Sequence, residues 1–147
     1  MAPKYPKYID LQVNGHGGID LLSAKNAEEV RQVSRSLYNN GVIGYLPTII
    51  TSALSEAVRA IKLIEDIRKN PLPGESKILG IHLEGPFISI EKRGVHPVEH
   101  IAKPDLNHLK SLLAAGLIKI VTIAPELPGA IELIQYLVAN NIVVSLG

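Results

Sequence analysis

Five short apolar segments alternate with four longer amphipathic ones along this chain of 147 residues, and this alternation constrains the fold more than any other feature. Strand-length segments separated by helices predict βαβ units, in which a crossover helix joins two parallel strands. The predicted strands are residues 8–13, 42–46, 78–84, 117–123 and 142–146, and the predicted helices are residues 26–39, 52–70, 104–116 and 129–140. The pattern therefore predicts an α/β fold with one parallel sheet.

Caps and helix breakers set the expected ends of these elements. Asn26, followed three residues later by Glu29, predicts a helix N-terminus of the capping-box kind. Ser52 or Ser55 is expected to open the second helix, and Pro47 is expected to end the second strand because proline cannot donate a ladder hydrogen bond. The glycine-rich residues 14–18 are predicted to form a turn.

Two architectures fit this order of elements: an open doubly wound sheet, or part of an eight-stranded (β/α) barrel. In the third predicted strand, Ile81 and Leu83 share an apolar face, whereas His82 and Glu84 share the opposite, polar face. In the first strand, Ile9, Leu11 and Val13 share the apolar face, which would meet the helices. Asp10, Gln12 and Asn14 share the polar face, which would line the interior. A strand covered by helices on both faces would be apolar throughout, so the alternation favours a barrel with a polar interior. The prediction is a partial TIM-like barrel of about five parallel strands and four helices.

Composition excludes several classes of protein. Apolar residues make up 46% and charged residues 20% of the chain, which is typical of a globular protein. The net charge of +1 gives no field that would attract nucleic acid or an anionic membrane. Cysteine is absent, no apolar run approaches the roughly 20 residues of a membrane helix, and the polar terminus 1–7 is no signal peptide. We therefore expect a cytoplasmic protein without nucleic-acid or membrane partners.

Glu84 is the strongest candidate for a functional residue. It ends an apolar strand within residues 81–87, where Gly85 and Pro86 prevent the strand from continuing. A charged side chain in that position is costly unless it has a partner. The residues alone leave three partners open: a metal ion, a polar substrate, or the backbone of a neighbouring loop.

The other polar residues near the predicted strand ends carry weaker signals. His82 is predicted to be a hydrogen-bonded core residue rather than a ligand. Gln12 and Asn14 are poor ligands for a transition metal, although they are adequate hydrogen-bond partners. Thr48 and Thr51 are interpreted as turn or cap residues.

A long irregular segment, residues 85–103, follows Glu84, and a loop of this length is usually functional or disordered. Its basic residues Lys92 and Arg93, with His96, would suit an anionic substrate, or they form a solvated cationic pair. The remaining candidates are expected to have structural or surface roles: His100 and His108 at the surface, and Glu126 in a salt bridge.

Six segments of the chain resemble the N-acetylglucosamine-6-phosphate deacetylases of the amidohydrolase superfamily. They are residues 9–15, 45–48, 80–87, 92–97, 121–126 and 143–147, and they run in the order in which the family has them. The most specific part is Leu-Glu-Gly-Pro-Phe, residues 83–87, followed by Gly-Val-His-Pro, residues 94–97. The resemblance covers nearly the whole chain.

The resemblance implies a metal-dependent hydrolysis that releases acetate from an amino-sugar phosphate. It implies that Glu84 is a ligand of a divalent metal, commonly zinc, and that His96 and the backbone at Val95 contact the substrate. Many amidohydrolases carry His-x-His at the end of the first strand for a second metal. This chain has Gln12-Val13-Asn14 there, so we expect one metal per site.

The family's two histidine ligands, its catalytic aspartate and its β-sandwich domain have no counterpart up to Gly147. We therefore expect residues 1–147 to form a single partial barrel domain, a fragment of a longer enzyme that is inactive alone and contains no catalytic residue. One alternative is a non-catalytic partial barrel that forms a homo-oligomer through its exposed strand edges. Another is a different hydrolase of the superfamily, which would not need the loop 93–96.

Overall fold

The structure, a computed structural model, describes residues 7–147, so most of the polar terminus 1–7 lies outside the described residues. The strands are β1 Tyr8–Val13, β2 Gly15–His16, β3 Ile19–Asp20, β4 Val42–Ile50, β5 Lys77–Ile78, β6 Ile81–Glu84, β7 Ile118–Ile123 and β8 Val143–Leu146. The helices are α1 Ala27–Asn39, α2 Leu54–Lys69, α3 Leu106–Leu113 and α4 Ala130–Ala139, with a 3₁₀ turn at Val98–His100.

One curled parallel sheet organises the molecule. Its strands follow the order β1-β4-β6-β7-β8, and every pair along this path is parallel. The short β5 pairs with β4, and β2 and β3 form a separate hairpin in the glycine-rich turn. Five parallel strands in a curled half-barrel with four helices confirm the predicted architecture. Among residues 7–147, no helix has both the length and the apolar character that a membrane span requires.

The hydrophobic core lies between the helices and the outer face of the sheet. Its fully buried large side chains include Tyr45, Phe87, Ile61, Ile81 and Leu109. The Tyr45 hydroxyl reaches Ser34 Oγ on α1 at 2.8 Å, and burial raises the pKa of Tyr45 to about 12. This buried pair satisfies the one polar atom that Tyr45 brings into the core.

The predicted start of α1 is confirmed, whereas the predicted start of α2 is wrong. Asn26 Oδ1 accepts from the Glu29 backbone N–H at 3.1 Å. The N-cap of α2 is Ala53, which has no capping side chain, and its carbonyl accepts from the N–H groups of both Glu56 and Ala57. Neither Ser52 nor Ser55 opens this helix, because the backbone of Ala53 satisfies the first turn.

Pro47 does not end the second strand, because β4 continues through it to Ile50. Proline lacks a backbone donor at this point, and the side chain of the next residue accepts a hydrogen bond from β1. Thr48 Oγ1 accepts the Val13 N–H at 3.0 Å, at the place where the β1–β4 register is irregular. The prediction that Thr48 is a turn or cap residue is therefore also wrong: Thr48 lies inside a strand.

The third predicted strand is divided in two at Gly80. Gly80 has φ +150°, and a Cβ at this position would lie 2.3 Å from Cγ of Lys119. The short β5 pairs with β4 and ends before Gly80. After Gly80, β6 pairs with β4 on one side and with β7 on the other. This shift determines where Glu84 lies at the end of the sheet.

The two outer strands keep apolar side chains in solvent. Ile9 and Leu11 were predicted to face helices, but they are 58% and 55% exposed. On the opposite edge, Val143 and Leu146 are 61% and 68% exposed. Within the described residues, neither β1 nor β8 has a second strand neighbour.

Candidate active site at the carboxyl ends of the strands

Glu84 is the last residue of β6, in register with Ile50 of β4 and Thr122 of β7. Its side chain is 25% exposed, and Oε2 accepts a hydrogen bond from Nε2 of Gln12 on β1 at 3.3 Å. Strand alternation predicted that Gln12 and Glu84 would both lie on the polar face, and this hydrogen bond confirms it. Glu84 therefore lies at the rim where parallel barrels carry their active sites.

The long loop brings His96 to this carboxylate. His96 is 7% exposed, and its Nε2 lies 3.9 Å from Glu84 Oε1. Its Nδ1 lies 2.9 Å from Thr51 Oγ1. The neighbouring Val95 is 84% exposed, although the imidazole beside it in the chain is buried.

The loop after Glu84 is anchored to the body of the protein. The carbonyl of Phe87 accepts from the Ala124 N–H at 2.9 Å, and the carbonyl of Pro86 accepts from the Ala102 N–H at 3.0 Å. The Phe87 ring is fully buried and meets the His108 ring edge to face at 5.4 Å. His108 is thus partly buried and packs against Phe87, and this burial lowers the pKa of His108.

Arg93 closes the turn that presents His96. Its Nη1 donates to the His96 carbonyl at 3.0 Å, and the His96 N–H donates to the Arg93 carbonyl at 3.1 Å. Part of the guanidinium is thus engaged within the loop, and the two alternatives left open by the sequence both stay predictions. Lys92 remains exposed.

His82 links three strands across the interior face of the sheet. Its Nδ1 lies 3.2 Å from the Leu11 carbonyl on β1, and its Nε2 lies 2.8 Å from Thr122 Oγ1 on β7. A carbonyl can only accept, so Nδ1 carries the proton and Nε2 accepts from the Thr122 hydroxyl. Burial lowers the pKa of His82, which favours this neutral ring. The prediction of a hydrogen-bonded core histidine is confirmed.

Two further residues of the sequence analysis lie away from this cluster: His16, in the glycine-rich turn, and Glu126, after β7. His16 contacts Ser36 Oγ at 2.8 Å. Glu126 is exposed, and no ion pair of Glu126 is found in residues 7–147, so the predicted salt bridge is absent from this part.

Thr51 was interpreted as a turn or cap residue, but its hydroxyl contacts His96. Its position one residue beyond a strand end was the available signal.

The donor set tests whether these residues fit a metal ion. A catalytic zinc normally takes three protein ligands. In residues 7–147, no group of three or more His, Asp or Glu side chains could hold a metal. Glu84 is a carboxylate, but His82, two residues earlier on β6, uses both of its ring nitrogens in other hydrogen bonds. The described residues therefore do not form a complete metal site.

Comparison with known proteins identifies the relatives of this chain. No protein-family model matches it. A bovine N-acetylglucosamine-6-phosphate deacetylase is 40% identical to it over 148 residues, which cover 97% of the chain and 36% of the relative. The chain is homologous to the N-acetylglucosamine-6-phosphate deacetylases. It spans little more than a third of the length of the curated relatives that it matches.

Solved deacetylase structures agree with this relationship. An N-acetyl-D-glucosamine-6-phosphate deacetylase variant from Mycobacterium smegmatis, in complex with N-acetyl-D-glucosamine-6-phosphate, matches 97% of the chain with a TM-score of 0.87 and 28% identity. The match covers 36% of that structure. An N-acetylgalactosamine-6-phosphate deacetylase from Escherichia coli O157:H7 is 33% identical over 145 residues, 97% of the chain and 38% of the relative.

Proposed function

We propose that this chain forms part of the active site of an enzyme that hydrolyses the N-acetyl group of N-acetylglucosamine 6-phosphate. The observation that carries the proposal is the meeting of Glu84, His96 and Gln12 at the carboxyl ends of the strands. The homology to deacetylases supports the reaction class. The galactosamine-specific relative makes the epimer, N-acetylgalactosamine 6-phosphate, the first alternative substrate to compare.

His96 and Val95 are the proposed substrate contacts. An amino-sugar phosphate presents many oxygen acceptors, so it needs hydrogen-bond donors that are held in fixed positions. Val95 lies at an exposed turn, and Arg93 holds that turn through the His96 carbonyl. In this proposal, the backbone at Val95 and Nε2 of His96 bind the substrate, and the anchored loop limits their motion.

We assign Glu84 as one ligand of a single divalent cation, zinc being the first to test. A bound cation would polarise the amide carbonyl and lower the pKa of its water. Gln12 donates to Oε2 and thereby orients the carboxylate, whereas Oε1 faces His96. Because residues 7–147 do not complete a metal site, we derive no reaction step through the ion.

Substrate binding can be tested with the 147-residue chain by NMR titration. We expect N-acetylglucosamine 6-phosphate to shift the amide signals of Val95 and His96, and glucosamine 6-phosphate to shift them less. His96→Gln should weaken binding at least about tenfold, the effect of losing one well-placed hydrogen bond. His100→Gln, four residues further along the same loop, is the matched control and should bind like the unmodified chain. Equal losses in both variants would contradict the assignment.

Turnover is a separate measurement, in which acetate release is followed with zinc present. We expect the 147-residue chain to give no rate above that of Glu84→Ala, because its described residues supply no complete metal site. A rate clearly above this control would overturn the expected inactivity while supporting the reaction class.

The exposed edges favour a second, non-catalytic candidate function, self-association. Tyr8, Ile9 and Leu11 are more than half exposed on the outer strand β1. A second copy of the chain has the same unpaired backbone edge and the same apolar side chains, so it can cover both. We propose a homo-oligomer formed through these edges.

Sedimentation over a dilution series tests this second candidate. We expect an oligomer that Ile9→Lys combined with Leu11→Lys dissociates. Val95→Lys, at a still more exposed position outside the sheet, is the control and should leave the mass unchanged. A monomer at every concentration of the unmodified chain would rule the candidate out.

A further inference from the structure

Thr51 lies immediately beyond β4, between two residues of the proposed site. It is 2% exposed, and its Oγ1 lies 2.9 Å from Nδ1 of His96 and 3.5 Å from the Glu84 carbonyl oxygen. His96 is 45 residues away along the chain. The hydroxyl is therefore the direct side-chain link between the end of the sheet and the loop histidine.

The Thr51 hydroxyl has one proton and two neighbouring acceptors, His96 Nδ1 and the Glu84 carbonyl oxygen, and their distances favour the first. Hydrogen bonds between a hydroxyl and an oxygen have lengths of about 2.5–3.0 Å, so the 3.5 Å contact with Glu84 is a weak one. The 2.9 Å contact with His96 is a normal hydrogen bond. These distances favour donation from the Thr51 hydroxyl to Nδ1, and in the neutral imidazole the proton would then lie on Nε2.

An Nε2 proton also suits the surroundings of His96. Nε2 faces Glu84 Oε1 at 3.9 Å, where an N–H is electrostatically favoured over a lone pair. The same distance is too long for a hydrogen bond, so this N–H is not used up by the carboxylate. It remains a donor for a ligand oxygen placed beside Glu84.

We propose that Thr51 is a positioning residue that holds His96 in its Nε2–H tautomer and directs that proton toward the substrate side of Glu84. The inference rests on the proposed function only for the identity of the substrate. The hydrogen-bond direction and the orientation of the ring follow from residues 51, 84 and 96 alone.

Packing gives Thr51 a second role that the experiment must separate. Gly85 has φ +87°, and a Cβ there would lie 2.2 Å from Thr51 Oγ1, so the two residues are in close contact. Thr51→Val keeps the branched shape and removes the hydroxyl. Thr51→Ser keeps the hydroxyl and removes a methyl group. Thr48→Val removes another buried hydroxyl, the partner of the Val13 N–H, without touching His96.

The test is the ¹⁵N NMR signature of the His96 ring in the 147-residue chain. Spectra of all variants are recorded at one fixed, mildly alkaline pH, and the readout is which ring nitrogen carries the proton. We expect the unmodified chain to show Nε2–H, with Nδ1 shifted by the bond it accepts. Thr51→Val should lose that Nδ1 shift, whereas Thr51→Ser and Thr48→Val should retain it.

Two results would overturn the proposal: an Nδ1–H signature in the unmodified chain, or the same Nδ1 shift in Thr51→Val. The first needs no variant, so it can be read even if Thr51→Val does not fold. Addition of N-acetylglucosamine 6-phosphate then separates the two claims. If the Thr51 dependence holds but the sugar leaves the His96 Nε2 signal unchanged, the positioning role stands and the proposed substrate is wrong.

Discussion

Glu65 and Glu84 are two partly buried carboxylates with opposite surroundings. Their side chains are 12% and 25% exposed. Glu65, on α2, accepts from Arg68 Nε and Nη2 at 2.8 and 2.7 Å and from the Leu117 N–H at 3.1 Å, with Lys69 Nζ at 3.4 Å. Glu84 has the Gln12 amide at 3.3 Å and the His96 imidazole at 3.9 Å.

The difference separates a carboxylate that the fold holds tightly from one that it holds weakly. Glu65 holds α2 to the start of β7, at the amino ends of the strands, where barrel residues serve stability. Hydrogen bonds from Arg68 hold the pKa of Glu65 down, to about 2. Glu84, at the carboxyl ends, has one neutral donor and a distant imidazole. Among residues 7–147, no cationic side chain holds this carboxylate as Arg68 holds Glu65.

The largest expected effect is on stability, at Glu65. Glu65→Gln removes the charge that Arg68 and Lys69 contact while keeping an oxygen for the Leu117 N–H. We expect the free energy of unfolding to fall by about 2 kcal/mol, less than the roughly 3–5 kcal/mol of a fully buried pair because Arg68 is partly exposed. Urea denaturation at pH 7 measures it. A change below about 0.5 kcal/mol would remove the contrast drawn between the two carboxylates.

Acid should abolish the same contribution. The pKa of Glu65 is lower in the folded chain, about 2, than its ordinary value of 4.5, so the unfolded chain takes up the proton first. The stabilisation is complete above about pH 4.5 and is lost as the pH falls toward 2. The difference in unfolding free energy between the unmodified chain and Glu65→Gln should therefore be constant from pH 7 to 5 and clearly smaller at pH about 3. If this difference in unfolding free energy grew as the pH fell, a group other than Glu65 would be responsible.

The sequence predicted the features that depend on local spacing. Asn26 and Glu29 are three residues apart, and the alternation around Glu84 placed it on the polar face with Gln12. It did not predict contacts that depend on the partner strand or loop. Pro47 continues β4 because Thr48 meets Val13, and this contact requires the pairing with β1.

The same limit applies to the candidate site. The resemblance placed Glu84 and His96 in one site, and the structure brings them within 3.9 Å. Thr51 could not be found in this way, because its role depends on a loop that folds back over 45 residues. Spacing along the chain carries no information about such a contact. Positioning residues are therefore the part of a site that sequence reasoning is most prone to miss.

The smallest expected effect is the same substitution at the other carboxylate. Glu84→Gln keeps the volume and an oxygen for the Gln12 amide, and it removes a charge that has no strong partner in residues 7–147. We expect the free energy of unfolding to change by less than about 0.5 kcal/mol. Urea denaturation beside Glu65→Gln makes the two values directly comparable, because the chemical change is identical. A loss near 2 kcal/mol would mean that Glu84 is held by the fold as Glu65 is. A loss near zero would mean that folding tolerates its neutralisation, as expected of a side chain retained for a ligand.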